Sequence, residues 1–221
     1  MNNQEKDYIC GIEREIVESF LILFRDNYKK ADEASYFLEL KEGVSNASGI
    51  ANIRDALSHF VSALDTRITL DERRKHLTNT EEHLRRAITE PYKKAVNGRL
   101  AKFRSLYTQY KKEIEPNRGR YDNLSDAPTA ATIETLLVHI EELIKKGRES
   151  KTKNTLNEEW EETVNGFVDA YNLLCDLYNK IERYKERYQQ HRNNRLQLVI
   201  AIWALVATLI STVLGIMTLM R

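Results

Sequence analysis

The chain has 221 residues, of which 42% are hydrophobic and 30% are charged, and its formal net charge is +1. Eight glycines and three prolines are too few for a collagen-like or Pro/Gly-rich disordered chain, and a net charge near zero favours no particular class of partner. The two cysteines, Cys10 and Cys175, lie far apart without metal-ligand spacing, which argues against a disulfide framework and fits a reducing compartment.

The N-terminal part of the chain is predicted to be helical, because apolar residues recur at helical spacing and no segment alternates like a strand. A first helix is predicted over Glu5–Lys29, and a second, shorter helix over Asp32–Lys41 is ended by Gly43. Ser48 is then the predicted N-cap of a helix that runs to about Leu64.

The middle of the chain is predicted to hold a long helix over Thr69–Glu115, which Pro91 should kink or break because proline removes a backbone donor. The segment Glu115–Pro128 contains two prolines, a glycine and several Asn and Asp residues, so it is predicted to be a loop. An amphipathic helix over Thr129–Lys146 and a polar connector over Gly147–Thr155 follow.

The last soluble stretch has the most regular apolar pattern. Its residues alternate four and three positions apart, as in a heptad repeat: Trp160, Val164, Phe167, Tyr171, Leu174, Tyr178 and Ile181. No strong breaker follows them, which predicts one helix from about Asn157 into a membrane, roughly 60 residues and 90 Å long. The predicted fold is therefore all-α: a helical bundle over residues 1–155, a connecting helix over 156–195 and a transmembrane helix over 196–220.

The C-terminal segment Leu196–Met220 holds 25 residues without a charge. At about 1.5 Å per residue it would reach roughly 37 Å, enough to cross a hydrocarbon core of about 30 Å. Five cations precede the segment and only Arg221 follows it: Arg183, Lys185, Arg187, Arg192 and Arg195. Because basic flanks stay in the cytoplasm, we expect a cytoplasmic body and, with a polar N-terminus that resembles no signal peptide, a tail anchor.

Small residues recur every four positions in this segment, at Ala207, Ser211 and Gly215. Small residues at that spacing let helix backbones approach closely, which predicts that the spans of two or more copies pack together within the membrane lipid. The alternative is that such residues are simply ordinary in membrane helices.

A basic block lies between Pro91 and Arg120, where nine Lys or Arg residues stand against two acids. Its candidate binding residues are Lys93, Lys94, Arg99, Lys102, Arg104, Lys111 and Lys112. Such a block can bind the phosphates of RNA or anionic lipid headgroups, or it can be a solvated helix face.

The segment Asn52–Phe60 contains the only cluster that suggests catalysis. Arg54 is followed by Asp55 and, after four intervening residues, by His59. This pattern resembles the signature of the HEPN family, helical proteins whose active members are metal-independent ribonucleases. The resemblance covers about Gly49–Asn97. Within the family, this segment resembles in particular the membrane-associated accessory or effector proteins of RNA-targeting CRISPR and other phage-defence systems.

The resemblance implies catalytic roles for the three residues and no cofactor. His59 would move the proton of an RNA 2′-hydroxyl, and Arg54 would stabilise the charge that develops on the phosphate. The other interpretation is structural, with His59 a buried or interface histidine bonded to a carboxylate. His76 and His83 lie seven residues apart on one predicted helix face, but further metal ligands are lacking, so no metal site is predicted.

Three functions are compatible with these patterns. The first is an oligomeric, tail-anchored effector or accessory protein of prokaryotic antiviral defence, in the inner (plasma) membrane, that forms a pore or another assembly. The second is a membrane-tethered ribonuclease that uses Arg54 and His59. The third is a passive structural tether. RNA or an RNA-guided defence complex is the expected partner of the first two.

Overall fold

The computed structural model describes residues 3–121, 124–149 and 158–219. Within these ranges the chain forms helices and no strand, which confirms the all-α prediction. The long helices are α1 (Asn3–Glu42), α2 (Ala47–Ala63), α3 (Leu70–Gln109), α4 (Ala130–Glu149) and α5 (Glu158–Leu219). A π-helical turn, Tyr110–Ile114, and a 3-10 turn, Glu115–Asn117, follow α3 directly.

Helix α1 is continuous, so the predicted division into two helices near Lys30 is wrong. The polar residues between Lys29 and Asp32 include no proline or glycine, and nothing else there breaks the helix. Ala31 and Ala34 are fully buried in the core, which holds this stretch in helical register. The predicted end is confirmed, because Gly43 has a φ of +66° that favours glycine.

The N-cap of α2 is Asn46, so the assignment of that role to Ser48 is wrong. The Asn46 side-chain oxygen accepts a hydrogen bond from the Gly49 backbone N–H at 3.0 Å. Its amide group also donates to Ser35 of α1 at 2.6 Å. The buried Asn46 therefore satisfies a helix terminus and joins two helices at once, whereas Ser48 lies inside the first turn.

Helix α3 continues through Pro91, so the predicted break at that residue is wrong. Pro91 is buried, with the fully buried Ala87 one turn before it and Ala95 one turn after it. Packing on both sides therefore holds the helix together where one backbone hydrogen bond is missing. The regular helix ends at Gln109 and the predicted last turns to Glu115 are π-helical and 3-10.

Helix α4 begins within one residue of its predicted start and continues to Glu149, so Gly147 is helical and the predicted connector begins too early. Gly147 lies against α5: a Cβ there would come within 3.2 Å of the Phe167 ring and the Thr163 carbonyl oxygen. A Cβ on Gly166 would likewise lie 3.1 Å from the Leu143 carbonyl oxygen. The two glycines let these helices pack backbone to backbone. Residues 150–157, which include the rest of the predicted connector, lie outside the described ranges.

Helix α5 is one continuous helix of 62 residues, in agreement with the predicted long helix. Its heptad-like stripe is buried within the chain: Phe167, Tyr171 and Leu174 have relative exposures of 2%, 2% and 0%. Because the stripe is buried within the chain, it is not available to pair with a second copy. The side chain of Trp160 lies outside the described residues.

The chain divides into two compact units, each made of segments that are distant in sequence. The first comprises Met1–Lys102 and Val138–Leu174, and the second comprises Phe103–Leu137 and Cys175–Arg221. The first unit has a core around Ala31, Ala34, Ala87 and Ile88. Buried residues of the second unit include Tyr110, Ile114, Leu124, Ile133 and Ile181.

Candidate functional site

Polar contacts join most of α2 to the first part of α3, in antiparallel register. From the turn outwards the contacts pair Arg73 with Ala63, His76 with His59, Thr80 with Ala56, and His83 with Asn52. We call the four side chains Asn52, His59, His76 and His83 the histidine seam. It places the candidate catalytic histidine between two others.

The rings of the seam are close together. Nδ1 of His59 lies 3.0 Å from Nδ1 of His76, so one of the two nitrogens donates a hydrogen bond to the other. The His59 ring also stacks on the His83 ring with a centroid separation of 5.3 Å. Nδ1 of His83 in turn lies 3.1 Å from Oδ1 of Asn52, which orients that ring. All four side chains are partly buried.

Two buried polar side chains of α3 contact backbone carbonyl oxygens of α2. Arg73 is only 6% exposed, and its Nε donates to the Ala63 carbonyl oxygen at 2.7 Å. The buried Thr80 hydroxyl donates to the His76 carbonyl oxygen at 3.0 Å and lies 3.3 Å from that of Ala56. These contacts fix the register of α2 against α3, and therefore the position of His59 opposite His76.

The other two motif residues lie in a different environment from His59. The side chains of Arg54 and Asp55 are 77% and 41% exposed, and they form an ion pair at 3.0 Å. His59 instead faces α3, and its partner is an imidazole where the structural interpretation of the sequence expected a carboxylate. The structure therefore joins Arg54 to Asp55, and His59 to the seam.

The seam keeps His59 neutral at neutral pH. Burial lowers the pKa of the His59 imidazole, and the neighbouring His83 and His76 lower it further, while the Asp55 carboxylate opposes them weakly. A neutral imidazole can both donate and accept a hydrogen bond, so His59 can take either role toward His76. The neutral form is also the state that a general base needs before it accepts a proton.

The lowered pKa of His59 predicts that the folded state loses stability as pH falls through about 6.5. The unfolded chain binds the proton first, so stability is fully present above the unfolded pKa and declines from there towards the folded pKa. Urea unfolding in detergent micelles at pH 7.5 and 5.5 would measure this. We expect His59→Asn to flatten the pH dependence and His139→Asn, at an exposed histidine of α4, to leave it unchanged; a slope that survives in His59→Asn would contradict the assignment.

The sequence missed the seam as a unit, although it correctly placed His76 and His83 on one face. The sequence feature that could have revealed the seam is the short turn between α2 and α3. An antiparallel hairpin that pairs residue 63 with residue 73 also brings residue 59 close to residue 76. In the described part of the chain, no group of three or more His, Cys, Asp or Glu side chains is arranged to hold a metal ion.

The basic block is used in part to build the fold. Arg99 and Lys102 contact Glu42 of α1, whose side chain is only 4% exposed, at 3.0 and 2.7 Å. The Tyr171 hydroxyl of α5 donates to the same carboxylate at 2.7 Å and accepts from Arg99 at 3.0 Å. We call Glu42, Arg99, Lys102 and Tyr171 the Glu42 cluster.

The remaining basic residues of the block differ in their contacts and in their exposure. Lys93 contacts Glu90 at 3.2 Å, and Lys111 contacts Glu134 at 3.2 Å, so both are partly neutralised. Lys94, Arg104 and Lys112 are exposed. The first unit contains Lys93, Lys94, Arg99 and Lys102, and the second unit contains Arg104, Lys111 and Lys112. The block is therefore not one uniform binding face.

The C-terminal part of α5 is long and apolar enough to span a membrane. From Leu196 to Ile216, thirteen large hydrophobic side chains are between 38% and 69% exposed. The hydroxyls of Thr208 and Thr212 donate to the carbonyl oxygens of Ala204 and Thr208, both at 2.8 Å, so they need no other partner. Ala207 and Ser211 are exposed on this helix, whereas the surroundings of Gly215 lie outside the described residues.

Comparisons of the chain with protein-family models, with curated proteins and with solved structures found no match. The resemblance to HEPN proteins therefore rests on Arg54, Asp55 and His59 and on the helical rhythm around them. The histidine seam, the Glu42 cluster and the apolar end of α5 are features of the chain's own structure.

Proposed function

We propose that the protein is a single-pass protein of the inner (plasma) membrane with a cytoplasmic helical body. In this proposal it acts as an oligomeric effector or accessory protein of prokaryotic antiviral defence and forms a pore or another membrane assembly. The observation that carries the proposal is the apolar end of α5, where thirteen large hydrophobic side chains are exposed on a continuous helix. Soluble monomers rarely expose contiguous apolar surface on that scale.

Lipid is the solvent that fits this segment best. A helix satisfies its own backbone groups, and the threonine hydroxyls bond to backbone oxygens of the same helix. The cluster of cations before Leu196 favours a cytoplasmic body. The antiviral role draws on the resemblance around Arg54 and His59.

Oligomerisation follows from the pore proposal, because one helix encloses no channel. Ala207, Ser211 and Gly215 provide a face on which a second span could approach closely, since their side chains are small. The buried stripe of α5 leaves this face as the stronger candidate for contacts between copies.

Reconstitution tests the proposal directly. The full-length protein in liposomes is expected to pass ions, and its mass in detergent should correspond to several copies. Ser211→Leu with Gly215→Leu should lower both the mass and the flux. Val206→Leu with Val213→Leu, on roughly the opposite face of the helix, is the matched control and should change neither. Absence of ion flux at every protein-to-lipid ratio would contradict the proposal that the protein forms a pore.

A second candidate function is a membrane-tethered, metal-independent ribonuclease. The neutral His59 between two other histidines favours it, because the seam uses Nδ1 and would leave Nε2 for the proton of an RNA 2′-hydroxyl. An exposed stripe of α2 also favours it, since Ile50, Leu57 and Val61 flank Arg54 at helical spacing with exposures of 67%, 40% and 66%. Two copies that met on this stripe would bring two Arg54 side chains together.

Cleavage of single-stranded RNA separates the two candidates. Under the second, His59→Ala should abolish cleavage, and His139→Ala, on an exposed histidine of α4, should not. Under the first, neither substitution affects flux. Cleavage that is equally strong in wild type and His59→Ala would exclude this residue as the catalytic base.

A further inference from the structure

The segment between the π-helical turn and α4 lies against the part of α5 that leads into the apolar stretch. Tyr121 contacts His191 with a ring separation of 4.3 Å, and it contacts Tyr188 edge-on at 6.2 Å. Four residues before the start of α4, the Asp126 carbonyl oxygen accepts a hydrogen bond from the Tyr184 hydroxyl at 3.0 Å. These contacts belong to the second unit and fix the height of Tyr121 along α5.

The stripe of α5 that carries these contacts continues towards the apolar stretch. Tyr184, Tyr188, His191 and Arg195 follow one another at spacings of four, three and four, which places them on one face of the helix. The first three contact the segment that contains Tyr121 and Asp126, and Arg195 is the next residue along the same face. Arg195 therefore lies one turn beyond His191, which Tyr121 contacts.

The distance from Tyr121 to the lipid can be estimated from the helix. His191 precedes Leu196 by five residues, which is about 7.5 Å at about 1.5 Å per residue. The polar headgroup layer is roughly 5–7 Å thick on each side of the hydrocarbon core. A ring that contacts His191 consequently lies at the outer edge of the headgroup layer, next to the interface at which Tyr side chains are enriched in membrane proteins.

Three exposed arginines lie near this level, and the exposed Asp126 carboxylate of the same loop pairs with Arg187 at 3.6 Å. Arg120, Arg192 and Arg195 are exposed, and none of them forms an ion pair with another residue of the described ranges. Arg118 is turned inwards, with Nη2 3.5 Å from the Ser125 carbonyl oxygen, so Arg120 is the arginine of this loop that faces outwards. Gly119 has no atom near enough to contact an added Cβ, which leaves the loop tip open.

We infer that Arg120, Tyr121, His191 and Arg195 form a second membrane contact, which binds anionic lipid headgroups beside the span. This inference rests on the proposed membrane location of α5. It adds to that proposal the chemistry of the bound lipid and the loop that binds the headgroups. Two elements that are distant in sequence then contact the bilayer: the end of α5 crosses it, and the loop before α4 lies on its surface. Headgroup phosphates are the occupant that this arrangement of arginines and an interfacial tyrosine fits.

Arginine labelling on the full-length protein tests the inference. The protein is reconstituted either in neutral phosphatidylcholine vesicles or in vesicles with 30% phosphatidylglycerol, and arginines are modified with p-hydroxyphenylglyoxal and quantified by peptide mass spectrometry. Attraction to an anionic surface corresponds to about a fivefold change in equilibrium per arginine. We expect Arg120 to react about fivefold more slowly in the anionic vesicles and to regain its reactivity in 0.5 M salt, which screens surface charge. Arg74, exposed on α3, is the internal control and should react equally in both.

The outcomes separate this inference from the proposed function. If Arg120 is as reactive as the control Arg74 in both kinds of vesicle while the protein floats with the bilayer, the proposed lipid contact of the loop is wrong and the membrane span is unaffected. If Arg120 is protected equally in neutral and anionic vesicles, the preference for anionic lipid is wrong. If the protein does not float with the vesicles at all, the membrane location itself is wrong.

Discussion

The double substitution Leu205→Arg with Leu209→Arg should release the protein from membranes. Both side chains are exposed near the middle of the apolar stretch, at 63% and 57%. Each arginine near the centre of a span costs about 2.5–3.5 kcal/mol, so the pair costs about 5–7 kcal/mol. The twelve exposed Leu, Ile and Val residues contribute about 4–7 kcal/mol to insertion at about 0.3–0.6 kcal/mol each. The substitution therefore removes most or all of the free energy that holds the span in lipid.

The control for this variant carries the same substitutions at the edge of the stretch. Leu196→Arg with Leu198→Arg adds the same two charges, but these residues lie near the headgroups and their side chains can extend into water. We expect the control to float with the membrane vesicles on a sucrose gradient and the central variant to remain at the bottom. Equal flotation of both variants would mean that the segment does not cross the hydrocarbon core.

The features that sequence predicts well here are local ones. Gly43 marks the end of α1, and the apolar and heptad-like patterns predict a continuous α5, because each depends on neighbouring residues in one helix. The misassigned N-cap marks the limit of local patterns: both Asn46 and Ser48 are good capping residues, and the hydrogen bond from Asn46 to Ser35, on another helix, favours Asn46.

The features that sequence does not predict depend on contacts between helices. His59 and His76 are 17 positions apart, and the residue that bonds to His59 could be known only once α2 and α3 were in register. The members of the Glu42 cluster are farther apart still in the sequence, since Tyr171 and Glu42 are separated by 129 positions. Nothing in the local pattern of the basic block distinguishes Arg99, which binds this carboxylate, from Lys94, which is exposed.

The Glu42 cluster leads to the second large prediction, which concerns the stability of the body. Glu42→Ala would leave the Arg99 guanidinium, whose side chain is 18% exposed, without its carboxylate. Removing one partner of a buried ion pair typically costs about 3–5 kcal/mol, because the remaining charge loses its counter-charge at a poorly solvated position. Urea unfolding of the protein in detergent should show a loss in this range. Glu39→Ala, at an exposed position one turn earlier in α1, should stay within about 0.5 kcal/mol of wild type.

The pH dependence of the same cluster provides an independent check. Burial alone would raise the pKa of the Glu42 carboxyl, but the hydrogen bonds from Lys102 and Tyr171 and the charge of Arg99 outweigh it, so the pKa lies below its usual value of 4.5. The contribution of Glu42 to stability is therefore present above pH 4.5 and is lost as the pH falls below it. The difference in stability between wild type and Glu42→Ala should narrow on acidification through that range.

A second substitution distinguishes an unpaired charge from a simple loss of packing. Replacing a buried ion pair with apolar residues is often neutral, so Arg99→Met in the Glu42→Ala background should restore a large part of the lost stability. If the double variant is instead as unstable as the sum of the two single variants, the loss comes from packing at each site. The carboxylate would then not be what joins the end of α1 to α3 and α5 in this unit, and Arg99 and Lys102 of the basic block would again be residues available to a ligand.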